Sequence, residues 1–73
     1  MALNERLKAL RITNGVTQRA IASGVGVSEG TVQKFEYGIA KPKLDTFIKL
    51  ADFFNVSADY LLGRTNNPNV LRN

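Results

Sequence analysis

Residues 17–38 read TQRAIASGVGVSEGTVQKFEYG, and this stretch decides the fold. Thr17 is a good N-cap for a short helix ending near Ser23 or Gly24, because its hydroxyl can accept an orphan backbone N–H. Val25, Gly26 and Val27 form a tight turn. Gly26 supplies the residue free to take positive φ. Ser28 caps a second helix that runs to Tyr37 and is closed by Gly38. Two helices joined so tightly must approach closely, which suits the small Ala22 at their crossing. Val32 and Phe35, three apart, anchor the second helix inward, with Ile21 and Val27 completing that wall.

The opposite side of this second helix is polar. Glu29, Gly30, Gln33, Lys34 and Tyr37 stand at i, i+1, i+4, i+5 and i+8 and share one face. No aliphatic residue lies among them. Such a face can hydrogen-bond, carry charge or allow close approach. The major groove of DNA is about 12 Å wide and admits a helix whose side chains reach base edges.

Outward from the core stretch, the hydrophobic spacing stays helical. Leu3, Leu7, Leu10 and Ile12 mark an amphipathic segment ended by Asn14-Gly15. After Gly38, Ile39 to Pro42 read as a loop, since proline is excluded from a helix interior. Leu44, Phe47, Ile48, Leu50, Ala51 and Phe54 predict a fourth helix ending near Asn55. Ser57 caps a short fifth, Ala58 to Leu62, stopped by Gly63. The expectation is an all-α domain of five helices over residues 1–64, followed by a flexible tail, residues 65–73.

Composition narrows the function. The chain has 73 residues, a formal net charge of +4, no cysteine and no histidine. That length is one domain. Without cysteine there is no disulfide or thiolate metal site, and without histidine the usual general base is missing. No glycine-rich phosphate loop is present. An enzyme is therefore not expected, nor a cofactor, a metal or a small-molecule ligand. No apolar run approaches the roughly 18 residues needed to span a bilayer. The charged N-terminus, with Glu5, Arg6 and Lys8, does not read as a signal peptide. A cytoplasmic protein is expected, and the basic balance favours a polyanionic partner.

The order and spacing of these residues resemble the lambda-repressor-like, Cro/C1-type helix-turn-helix family, also named for the xenobiotic response element. The matching residues are Glu5-Arg6-Leu7-Lys8, Leu10-Arg11, the 17–38 motif, Lys41-Pro42, Leu50-Ala51, Val56-Ser57 and Asp59-Tyr60-Leu61-Leu62-Gly63. They run from about residue 3 to residue 63, nearly the whole chain. The resemblance implies a DNA-binding transcriptional regulator, a phage or prophage repressor of a palindromic operator. It assigns base reading to Glu29, Gly30, Gln33 and Lys34. It assigns backbone contacts to Gln18, Arg19, Ser28, Thr31, Tyr37, Lys41 and Lys43. Arg11 and Glu36 match an internal ion pair. A homodimer is implied, through the region of the fourth and fifth helices. Val56, Ala58, Tyr60 and Leu61 are the candidates there, with Val70 and Leu71 of the tail as further ones.

Two positions depart from the family. Gly30 replaces a longer polar residue, and glycine in a helix costs up to about 1 kcal/mol relative to alanine. Lys43 stands where a capping Ser, Thr or Asp is usual, with Asp45 as partial compensation. Phe47, Phe53, Phe54 and Tyr60 read as core or dimer contacts rather than base-stacking platforms. The sequence fits either a complete Cro-like protein or a repressor fragment. Within DNA binding, a restriction-modification controller and an antitoxin that represses its own operon are alternatives. A protein-interaction module that has kept the fold without DNA affinity is a further one, with Glu29 and Gly30 on the reading face in its favour.

Overall fold

Five helices follow one another through the computed structural model, which describes residues 1–70: α1 (Leu3–Thr13), α2 (Gln18–Val25), α3 (Glu29–Tyr37), α4 (Leu44–Phe54) and α5 (Ala58–Leu61). No strand occurs among the described residues. Hydroxyls set the starts of α2, α3 and α5. Thr17 Oγ1 accepts from the Ala20 N–H at 3.0 Å, Ser28 Oγ from Thr31 at 3.1 Å, and Ser57 Oγ from Tyr60 at 3.0 Å. Each satisfies a donor that has no partner within its helix. Lys43 makes no such cap for α4. Asp45 Oδ1 accepts from the Thr46 N–H at 2.8 Å and supplies part of what is missing. Helix α2 runs one residue past Gly24, and Gly26 closes it at φ 78°.

The core lies where α2 meets α3 and α4, with α1 and α5 closing its ends. Leu7, Ile21, Val32, Leu50 and Leu61 are fully buried. Ala22, Val25, Phe35, Phe47, Ala51 and Val56 complete the cluster, with Val27 and Phe54 packed at its edge. The crossing of α2 with α4 depends on Gly24. A Cβ there would stand 2.6 Å from a ring carbon of Phe53. Ala22 is buried as expected, but Gly24 is the position that admits the neighbouring ring.

Three apolar residues placed on inner faces by their spacing point outward: Ile12, Leu44 and Ile48. A helix turns about 100° per residue. Ile12 therefore lies nearly opposite Leu3, Leu7 and Leu10. The buried stripe of α4 is Phe47, Leu50, Ala51 and Phe54, and Leu44 and Ile48 fall to one side of it.

Arg6 is buried on α1, with its guanidinium carbon 3.8 Å from the centroid of the Tyr60 ring. The aromatic face takes the place of a carboxylate. The Arg6 Nε is buried with no hydrogen-bond acceptor among the described residues. The pair ties α1 to α5.

Residues 65–70 turn back toward α5. The Ser57 N–H donates to the Pro68 carbonyl at 2.9 Å. Thr65 Oγ1 and Asn67 Oδ1 accept from Asn67 and Asn69 N–H groups, both at 3.1 Å. Residues 65–70 thus lie against the start of α5, where a loose tail is expected from composition. Leu71 lies outside the described residues. Among those described, no helix is long and apolar enough to cross a membrane.

Candidate nucleic-acid interface

Helix α3 divides into a dry and a wet side. Val32, Phe35 and Glu36 are buried, whereas Glu29, Gly30, Gln33, Lys34 and Tyr37 are exposed. Tyr37 has 72% of its surface open. Packing of α3 against α2 and α1 leaves this wet side as one exposed face. The N-terminus of α3 leads it, with Ser28 at the cap. Ser28 and Thr31 hydroxyls lie 2.9 Å apart, so both already have local partners.

One side of this face is held by a network around Glu36, whose side chain is 3% exposed. Arg11 Nε donates to Glu36 Oε2 at 2.7 Å and Arg11 Nη2 to Oε1 at 3.1 Å. The Gln18 amide Nε2 donates to Oε1 at 3.2 Å. The hydrogen bond that Arg11 donates to Glu36 raises the Arg11 pKa above its ordinary value, against the opposing effect of desolvation. An amide nitrogen has two N–H groups. With one on Glu36, the second N–H of Gln18 remains to donate outward. Lys8, Arg11, Gln18, Glu36 and Tyr37 line a small cleft of about 110 Å³ here. Lys8 is not among the residues assigned from the sequence. Its signal is its place three before Arg11, on the same side of α1.

The other side carries an interhelical pair. Arg19 Nε of α2 lies 3.7 Å from Glu29 Oε1 of α3. Lys41 and Lys43 are exposed in the loop that follows α3. Among the described residues, Lys8, Lys34, Lys41 and Lys43 have no ion-pair partner. Exposed ammonium groups without an ion-pair partner thus stand on α1, on the polar face of α3 and on the loop that follows it.

Gly30 stands in open space. The nearest atom to a Cβ placed there is Ser28 Oγ, 3.9 Å away. Gly30→Ala is expected to stabilise the free domain by about 0.5–1 kcal/mol, because alanine loses less backbone freedom in a helix. Thermal unfolding of the two proteins checks this. An unchanged or lowered midpoint contradicts it.

The candidate dimer residues separate. Leu61 is fully buried and Val56 nearly so, which corrects their assignment to a surface contact: both are core residues. Tyr60 is half-buried beneath Arg6. Ala58 is exposed, and with Ile48 and Val70 it lines an open groove between α4, α5 and the returning chain.

A capped helix pair joined by a glycine turn, with its second helix presented polar side out, defines the helix-turn-helix class. A helix-turn-helix family model matches residues 7–61, and the chain belongs to that family, in its lambda-repressor-like, Cro/C1-type branch. The chain is 38% identical over 64 residues to the transcriptional regulator ImmR of Bacillus subtilis, covering 88% of this chain and 50% of that protein. It is 36% identical over 53 residues to the cryptic phage CTXphi transcriptional repressor RstR of Vibrio cholerae, covering 73% and 48%. The chain spans about half the length of these curated relatives. Among solved structures, the P22 c2 repressor in complex with a synthetic operator superposes with a TM-score of 0.84 at 28% identity, covering 89% of this chain and 98% of that one. The restriction-modification controller C.AhdI of Aeromonas hydrophila superposes at 0.76 with 27% identity, covering 81% and 89%.

Proposed function

We propose that this chain is a sequence-specific DNA-binding repressor of the phage Cro/C1 kind, acting in the bacterial cytoplasm. Helix α3 enters the major groove with its N-terminal end leading. The exposed polar face of α3, flanked by unpaired lysines, carries this reading. Its likeness to a repressor bound to its operator supports it, as do relatives named as phage repressors. Glu29, Gln33 and Lys34 face the base edges, and Gly30 lets the helix backbone come close. Gln18, Arg19, Ser28, Thr31, Tyr37, Lys41 and Lys43 flank the phosphates, joined by Lys8.

One domain offers few base contacts, each worth about 1–3 kcal/mol, too few to select one site in a genome. A two-fold dimer on a palindromic operator doubles them. The exposed groove of Ile48, Ala58 and Val70 is the surface proposed for that contact. Bound over a promoter, the dimer excludes polymerase. A restriction-modification controller is the second reading, favoured by the likeness to C.AhdI. The genes beside the coding sequence separate the two.

Lys34→Ala is expected to weaken operator binding by about 1–3 kcal/mol. If preference relaxes at one base pair, Lys34 reads a base, commonly guanine. If all sequences weaken equally and the salt dependence falls by about one unit of slope, it grips a phosphate. Unchanged affinity removes Lys34 from the interface and argues against the proposed docking.

A further inference from the structure

The ion pair between Arg19 and Glu29 bears on what α3 selects. Glu29 is the only carboxylate on the wet side of α3, since Glu36 is buried. A carboxylate brought toward a groove lined with phosphates is repelled unless a cation accompanies it. Among the described residues, Arg19 is the cation paired with it, across the turn from α2. The side chains are 85% and 44% exposed, so neither is held by the core and both can meet DNA. At 3.7 Å this is an ion pair rather than a hydrogen bond. The carboxylate's acceptor capacity is therefore largely open. Arg19 Nε faces Glu29, and the guanidinium makes no hydrogen bond among the described residues, so it keeps donors for a phosphate.

We propose that Arg19 is a positioning residue for base selection. It bridges Glu29 and a phosphate, cancels the carboxylate's charge, and holds Glu29 to accept from the exocyclic amine of a cytosine. Glutamate accepting from cytosine N4 is a recognised major-groove pairing. Arg19 so contributes to specificity as well as to the charge-driven affinity expected of a backbone contact. The inference rests on the DNA-binding function proposed above.

The test is a double-mutant cycle with the full chain. Wild type, R19A, E29Q and the double variant are titrated against the wild type's selected operator and its single-base variants. Wild type failing to prefer any duplex defeats the DNA-binding reading itself. Given wild-type binding, R19A is expected to lose about 10-fold in affinity for the operator and to flatten the preference at one C·G pair. In the E29Q background, the same change is expected to cost only about 2- to 3-fold, uniformly across sequences, as a lost phosphate contact does. If R19A costs the same factor in both backgrounds and leaves every base preference intact, Arg19 is a backbone contact alone and the inference is overturned. Both residues are exposed, so circular dichroism and thermal midpoints are expected to stay at wild-type values in all four proteins.

Discussion

Glu36→Ala is expected to destabilise the domain by about 3–5 kcal/mol, because it strands Arg11 with no partner in a partly buried site. A domain of this size commonly holds only about 3–5 kcal/mol in total. The variant should therefore be largely unfolded at room temperature. Three donors converge on the Glu36 carboxylate, two from Arg11 and one from Gln18, and all three lose their acceptor together. Glu36→Gln keeps an acceptor of similar shape and should cost less. Pairing the loss with Arg11→Met should recover part of the stability, since two apolar groups leave no charge behind. Denaturant titration of the four proteins measures this. A Glu36→Ala variant within about 1 kcal/mol of wild type would mean that water serves Arg11 adequately. The pH dependence has a definite sign on the arginine side. The folded Arg11 pKa is raised, so the contribution is fully present below the ordinary guanidinium range and lost only as pH climbs through the raised value. Between pH 6 and 9, about the range of ordinary assays, titration of Arg11 should leave stability flat.

Leu61→Ala is expected to cost about 2–5 kcal/mol, the range for removing a buried leucine from a packed core. Leu61 is fully buried, wedged where α5 closes the core. For a domain of this length each kcal/mol moves the thermal midpoint by about 4–8 °C, so a fall of about 10 °C or more should follow. The loss should be the same in dilute and concentrated samples. A dimer contact would behave otherwise, its effect growing with protein concentration. Leu62, the next residue, is exposed. Its replacement by alanine should shift the midpoint little, which makes the two variants an internal control.

Much of the fold is legible in the sequence because its signals are local. Thr17, Ser28 and Ser57 cap the helices they precede, and Gly26 and Gly38 stop the ones before them, each through bonds spanning only a few residues. What depends on rotation or long-range packing is less legible. Ile12, Leu44 and Ile48 keep helical spacing yet face outward, since spacing gives a stripe without saying where the core ends. Helix α5 has four residues, too few for a period to separate the buried Leu61 from the exposed Ala58. Gly24 reads as a place for the helix to end until the ring of Phe53 is placed against it.

The interface divides the same way. The wet side of α3 follows from spacing alone. The Arg11–Glu36 pair joins residues 25 apart, which no local pattern encodes, and resemblance to the family supplies the expectation. The engagement of Gln18 by Glu36, the placement of Lys8 beside it and the meeting of Arg19 with Glu29 need the angle between helices. The burial of Arg6 against Tyr60 is hidden for a different reason. An arginine near the N-terminus reads as solvated charge, and only an aromatic face 54 residues later makes its burial tolerable.

Entry of α3 into the major groove is tested most directly by selecting bound duplexes from a random DNA pool with the purified chain at moderate ionic strength. The expected product is an inverted repeat whose half-sites lie about one helical turn, ~34 Å, apart. A pool that emerges without any enriched sequence would contradict sequence-specific docking of that helix.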